Sequence, residues 1–199
     1  MMTFKENIDR EELAHYPQSA FNGDIILVDD YSKLKSSLRT LKAAELLGFD
    51  TETKPSFKKG RTNKVALLQL SDKKRAYLFR INNMGLPDEI AEILADSSVI
   101  KAGVAIHDDI KALRAVNKFT AGGFIELQDY VKDYGIESSG LRKLSAIILG
   151  FKISKRQQVS NWEAAQLSEA QLHYAATDAW VCYEIYKKLA NHSPVNTRK

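Results

Sequence analysis

The sequence predicts a mixed α/β fold, one β-sheet flanked by α-helices. Three observations carry that expectation. Two short apolar runs, VALLQLS and RAYLFRI, lie close enough in the chain to form an antiparallel pair. A further apolar run, SVIKAGVAI, is followed directly by the helically spaced DDIKALRAV, a strand feeding a helix. Beyond that point helical patterns dominate.

In chain order, residues 1–22 are charged and read as an N-terminal segment across the surface, ahead of a single domain over 23–192 and a short tail at 193–199. DIILVDD (24–30) is a strand. SKLKSSLRTLKAAELL places Leu34, Leu38 and Leu41 on one face of a helix. LLGFDTET (46–53) is the next strand, and KPSFKKGRTNK (54–64) is a connection with five Lys or Arg, punctuated by Gly and Pro. After the antiparallel pair a helix follows Pro87 through Leu94. SVIKAGVAI (98–106) is a buried strand and DDIKALRAV (108–116) a helix. Further helices are expected around 127–133, 140–150 and 168–190, the last opened by Ser168 and Gln171 at capping-box spacing. FKISKRQQVSNW (151–162) has no clear period and carries a basic cluster, so it reads as a loop.

At 199 residues the chain suits one domain with a full core. Hydrophobic residues at 44% and charged residues at 27% place it among folded globular proteins. Lys and Arg number 29 against 25 Asp and Glu, a net charge of +4 that permits a polyanionic partner without demanding one. Acids gathered in one pocket would leave the remaining surface more basic than that total. Cys182 is the single cysteine, which excludes an internal disulfide and argues against a cysteine metal site. The N-terminal MMTFKENIDREELAHYPQ lacks the apolar stretch of a secretory signal. No segment approaches the ~18 consecutive apolar residues of a membrane span. The expectation is a cytoplasmic protein.

Four carboxylates point to chemistry. Asp50 and Glu52, two apart on a strand, project from the same face, while Phe49 and Thr51 face the other way. Carboxylates held side by side repel unless protons or cations intervene, and hard divalent ions with oxygen ligands, Mg²⁺ or Mn²⁺, meet that need. The tripeptide alone equally describes two solvated acids at a strand end. In HYAATDAW, Tyr174 and Asp178 lie one turn apart on one helix face, where a phenol and a carboxylate can hold a water or a metal. An amphipathic helix with a packed Tyr and a solvated Asp has the same pattern. Ala175, Ala176 and Ala179 are small and let a backbone or a substrate come close. His173 competes for the role of base, but it would sit about 140° around the helix from Asp178. In HDDIKAL, Asp108 and Asp109 both fall in the first helical turn, where the dipole favours acids and Asp108 can serve as an N-cap; periodicity does not separate them.

In this order the three segments resemble the DEDD superfamily of 3′–5′ exonucleases, in the tyrosine-containing branch that includes ribonuclease D and the Werner-type exonuclease domain. GFDTET is similar to the first motif, carrying Asp50 and Glu52. VIKAGVAIHDDIKAL is similar to the second, and alignment on Gly103 and Leu113 selects Asp109 over Asp108. YAATDAW is similar to the third, with Tyr174 and Asp178. GLRKLSAIILG and NWEAAQLSEAQLHYAA also look like family segments, so the resemblance covers residues 24–190.

The resemblance implies a ribonuclease H-like fold and a 3′–5′ exonuclease that releases nucleoside 5′-monophosphates from the 3′ end of DNA or RNA. It implies two divalent ions, Mg²⁺ or Mn²⁺, held by Asp50, Glu52, Asp109 and Asp178. Asp50, Glu52 and Asp178 would hold the ion on the nucleophile side; Asp50 would also serve the second, which Asp109 reaches largely through water. Tyr174 would position the attacking water. The lysines and Arg61 of 54–64, together with Lys152, Lys155 and Arg156, are candidates for meeting strand phosphates, and Phe57 is a candidate for stacking on a base. A solvated basic face and ordinary loop packing account for the same residues. The ribonuclease D group carries helical nucleic-acid-binding domains after the exonuclease, whereas this chain ends in NHSPVNTRK soon after its last helix. Grip on the strand is therefore expected from the catalytic domain or from a partner. The same fold could instead serve a catalytically inactive nucleic-acid-binding module or an adaptor, and the intact acids and tyrosine weigh against the first.

Overall fold

The apolar runs assemble into one six-stranded sheet, described over residues 4–56 and 63–195 of a computed structural model. The elements in chain order are α1 (Arg10–His15), β1 (Asp24–Val28), α2 (Tyr31–Lys42), β2 (Leu46–Thr53), β3 (Val65–Ser71), β4 (Arg75–Phe79) and α3 (Ile81–Met84). There follow α4 (Asp88–Ala95), β5 (Ile100–Gly103), α5 (Ile106–Val116), β6 (Phe124–Glu126), α6 (Leu127–Tyr130), α7 (Leu141–Leu144) and α8 (Glu169–Ala190). A 3₁₀ turn extends α6 over Val131–Tyr134, and a π-helical turn extends α7 over Ser145–Leu149. The strand order is β1-β4-β3-β2-β5-β6. β3 is antiparallel to both β2 and β4, and the three remaining pairings are parallel. Phe57 and the basic Lys58, Lys59 and Arg61 lie outside the described residues.

Helices cover both faces, which explains why VALLQLS is apolar without alternation: β3 is buried along its whole length. On one face Phe49, Leu68 and Phe79 pack with Leu34 and Leu41 of α2, Leu94 of α4 and Leu113 of α5. On the other, Ala66, Leu67 and Leu78 meet Trp162 and Ala175, while Ala76 meets Phe21 and Ala176. The small residues of α8 thus let it lie directly on the sheet. Gly48 marks the tightest point. A Cβ there would fall 1.8 Å from the carbonyl oxygen of Ala179. Gly48→Ala is expected to cost about 3 kcal/mol or more, since neither backbone can yield without lifting the helix. A thermal melt checks this, and a wild-type Tm would refute the packing argument.

Three local features depart from the sequence expectations. β5 stops at Gly103 and α5 starts at Ile106, because Ala105 is left-handed with φ 59° and breaks the strand. Neither Asp108 nor Asp109 caps α5. Its first amides, of Ala105 and Ile106, donate instead to the Glu126 carboxylate at 3.0 and 2.8 Å. β6 adds a strand to the expected elements; it has three residues, too few for a period to show. The N-terminal segment also holds more structure than its charge suggests. Asp9 caps α1 by accepting from the Glu12 amide at 2.7 Å. Ile8, Leu13 and Phe21 are buried, pinning residues 4–22 to the body of the protein.

Candidate active site

Strand alternation gives the site its first two groups. Gly48, Asp50 and Glu52 share the face of β2 that looks toward α8, and the close approach at Gly48 brings that helix near enough to deliver Asp178. The capping box that starts α8 is formed: the Gln171 amide donates to Ser168 Oγ at 3.3 Å, and the Ser168 amide donates to Gln171 Oε1 at 3.0 Å. With the helix start fixed, Asp178 falls on the sheet-facing side. Oxygens of Asp50, Glu52 and Asp178 come within 4.8 Å of one another. Glu52 and Asp178 are 9% and 7% exposed, and Asp178 Oδ1 is buried without a hydrogen-bond partner.

Burial raises the proton affinity of all three acids. At Asp50 the charges of Asp178 and Asp109 add to it, and at Glu52 those of Asp50, Asp178 and Asp109. Converging oxygen donors with an orphaned carboxylate oxygen suit a hard divalent cation, which would relieve the repulsion and fill the missing bond.

Asp109 reaches the site from the other side of the sheet. Thr51, which faces away from Asp50 and Glu52, donates its hydroxyl hydrogen bond to Asp109 Oδ1 at 2.6 Å. Asp109 is half-buried, and its pKa is pushed up to about 6 by burial, against the opposing effect of the Thr51 bond. Its oxygens lie outside the close trio, yet its charge is felt at Asp50 and Glu52. Asp108 and His107 are exposed.

Tyr174 stands at the pocket with Asp178, its ring centroid 6.0 Å from that of Trp162. Burial first, then the charges of Asp178 and Glu52, push the phenol above its ordinary range, so it stays protonated. His173 is exposed, with its Nε2 3.8 Å from Glu169, and does not line the acid pocket; it lies in an adjoining cavity that Tyr174 and Asp178 also line.

Asp50, Thr51, Glu52, Tyr174 and Asp178 line a cavity of about 300 Å³, with Asp109 behind Thr51 and outside its wall. Its wall also includes Arg142, Lys155, Gln158 and, four residues after Asp178, Cys182. The Cys182 thiol is fully buried and raised well above its ordinary value by burial and the acid charges, so it is an inert surface and not a nucleophile. The helical period alone would have placed Cys182 beside Asp178. No comparable signal marked Thr51 or Arg142. Of the basic residues expected to meet phosphates, Lys155 lines the pocket, Lys152 donates to the Ala14 carbonyl, and Arg156 lies in a neighbouring cavity with His173.

A family model described as 3′–5′ exonuclease matches residues 25–193. The mouse bifunctional 3′–5′ exonuclease/ATP-dependent helicase WRN is 34% identical over 157 residues, 76% of this chain and 11% of that protein. The Drosophila melanogaster exonuclease 3′–5′ domain-containing protein 2 is 38% identical over 162 residues, 79% of this chain and 27% of that protein. The chain thus spans a minor part of these two relatives. Among solved structures, the Nibbler EXO domain of Aedes aegypti superposes with a TM-score of 0.75 at 27% identity, covering 85% of this chain and 90% of that one. Escherichia coli RNase D shares the fold, with a TM-score of 0.73 at 24% identity over 85% of this chain and 44% of that one. The sheet is therefore of the ribonuclease H-like type. With the acids on β2, α5 and α8 in the motif order and the family match spanning nearly the whole described chain, the protein belongs to the metal-dependent 3′–5′ exonuclease family.

Proposed function

We propose that this domain removes nucleoside 5′-monophosphates one at a time from the 3′ end of a nucleic acid strand, with Mg²⁺ or Mn²⁺ as its cofactor. The observation that carries the reading is the convergence of Asp50, Glu52 and Asp178 within 4.8 Å, with Asp178 Oδ1 unpartnered. Asp50, Glu52 and Asp178 would hold one ion, and Asp50 with Asp109 would serve a second. Such ions, when bound, supply Lewis-acid stabilisation at the phosphate and make bound water easier to ionise. Thr51 fixes the Asp109 carboxylate, so that acid is preorganised and does not have to be recruited. Tyr174, held protonated and hydrogen-bonded to Asp178, would orient the attacking water without itself taking up the proton. Lys155 faces Asp178 with opposite charge, where it can balance the acid or meet a phosphate. Among the described residues no helix is long and apolar enough to cross a membrane. A cytoplasmic location belongs to the same proposal.

A 5′-labelled single strand is expected to shorten stepwise from its 3′ end with Mg²⁺ or Mn²⁺ and to stay intact in EDTA. DNA and RNA versions identify the sugar, and a circular strand should be untouched; its cleavage would mark an endonuclease instead. Tyr174→Phe is expected to lower kcat by roughly 10²-fold or more with little change in KM, the signature of a group acting on the attacking water. His173→Ala is expected to stay within about twofold, and a larger loss there than in Tyr174→Phe would reverse the assignment.

A further inference from the structure

The catalytic pocket does not end at its own wall. Gly140, Arg142 and Lys155 line both that pocket and a second cleft of about 540 Å³ beside it, so the two are continuous. The far side of the second cleft is built by Asn7 and Arg10 of the N-terminal arm, residues 4–22. The arm precedes residue 25, where the family match begins.

This arm is bonded to both segments that carry the pocket wall. The amides of Glu137 and Ser138 donate to the Glu6 carbonyl at 2.8 and 3.3 Å. Ser138 Oγ and Lys143 Nζ donate to Asn7 Oδ1 at 2.5 and 3.2 Å. Farther along, the Lys152 amide donates to the Pro17 carbonyl and the Ser19 amide to the Lys152 carbonyl, at 2.8 and 3.0 Å. Ile8 and Leu13 bury against Ala146, in the π-helical turn that extends α7. The arm is thus a fixed part of the site's surroundings.

Charge tells what the cleft is suited to hold. Arg10, Arg142, Lys143 and Lys155 line it, opposed by the exposed Glu137. Arg142 Nε is buried and has no acceptor, and an anion seated in the cleft would supply one. A strand whose terminal nucleotide lies at the acid cluster and whose next phosphates lie among these cations would meet complementary charge along its path.

We propose that this cleft is the track for the strand upstream of the nucleotide being removed, with the N-terminal arm as its outer wall and Arg142 and Arg10 on successive phosphates. The proposal rests on the exonuclease reading of the adjoining pocket, and two independent readouts separate them. The first is fluorescence anisotropy of a 5′-fluorescein-labelled single-stranded octanucleotide, measured with Ca²⁺ over a range of salt concentrations. Arg10→Glu and Lys143→Glu are each expected to weaken binding about 10-fold at low salt, and to flatten the slope of log K against log salt by roughly 0.7 for each phosphate no longer neutralised. Arg10→Lys keeps the charge and should restore the slope. Lys35→Glu, which makes the same charge change on α2 across the sheet, should stay within about twofold. The second readout is hydrolysis of the p-nitrophenyl ester of thymidine 5′-monophosphate, which is small enough to need only the catalytic pocket. Wild-type affinity and slope in Arg10→Glu and Lys143→Glu, or an equal loss in Lys35→Glu, would overturn the track even with the ester hydrolysed. Loss of binding in the two cleft variants without ester hydrolysis by the wild type would leave the track standing and remove the exonuclease reading.

Discussion

Replacing Asp50 by asparagine is expected to lower the rate of 3′ shortening by roughly 10³-fold while the fold stays intact. Asp50 sits on β2 close to the carboxylates of Glu52 and Asp178, and the charge of Asp109 also reaches it. Like Glu52, it feels the charges of the acids on both α5 and α8. Asparagine keeps the shape and takes away the charge, so the loss would report electrostatics and not packing. Single-turnover decay of a labelled strand at saturating Mg²⁺ or Mn²⁺ is the measurement, because it isolates the chemical step from product release. Asp108→Asn is the matched control, an exposed acid beside Asp109, and should change the rate by less than about twofold. Retention of more than a tenth of the rate by Asp50→Asn would sink the metal-site assignment.

The same acids act on stability in the opposite sense when no metal is present. In a chelator, Asp178→Asn is expected to raise Tm. Asp50, Glu52 and Asp178 have ordinary values of 3.8, 4.5 and 3.8, and all three are raised in the folded protein. Between those ordinary values and the raised ones, the folded chain binds more protons than the unfolded chain. Their contribution to stability is therefore complete below about pH 4 and is lost as pH climbs through about 7 at Asp178 and about 10 at Glu52. Removing one buried charge at pH 8 should recover on the order of 2–4 kcal/mol. For a chain of this size that is roughly 5–10 °C. A divalent ion can replace the missing protons, so Mg²⁺ or Mn²⁺ should raise the wild-type Tm more at pH 8 than at pH 5. A melt series in EDTA and in metal at both pH values tests all three statements. A lower Tm for Asp178→Asn in EDTA would show that the trio is not under mutual repulsion.

What the sequence made legible was whatever depends on local period. The run LLGFDTET matches β2 residue for residue, and the alternation of two put Asp50 and Glu52 on one face. The i, i+4 spacing placed Tyr174 with Asp178, and the Ser168–Gln171 spacing located the start of α8. Features that depend on a distant partner stayed hidden. The α5 start is set by Glu126, which lies twenty residues or more along the chain from the amides it holds. The strand geometry turned Thr51 away from the acid pair correctly, but nothing local showed that Asp109 would arrive on that side to meet it. The anchoring of residues 4–22 likewise rests on single apolar residues, Ile8, Leu13 and Phe21, set in a charged stretch too short for a period.

The seating of α8 against Gly48 also sets when the site can exist. Asp50 and Glu52 are made early, Asp109 later, and Asp178 last of the four. At about 5–20 residues per second, roughly 6–25 s of translation separate Asp50 from Asp178. Through that interval a nascent chain carries the sheet acids without the helix that completes their cluster. On the proposed function, competence to cut a strand arrives only once α8 has been made and has docked against Gly48.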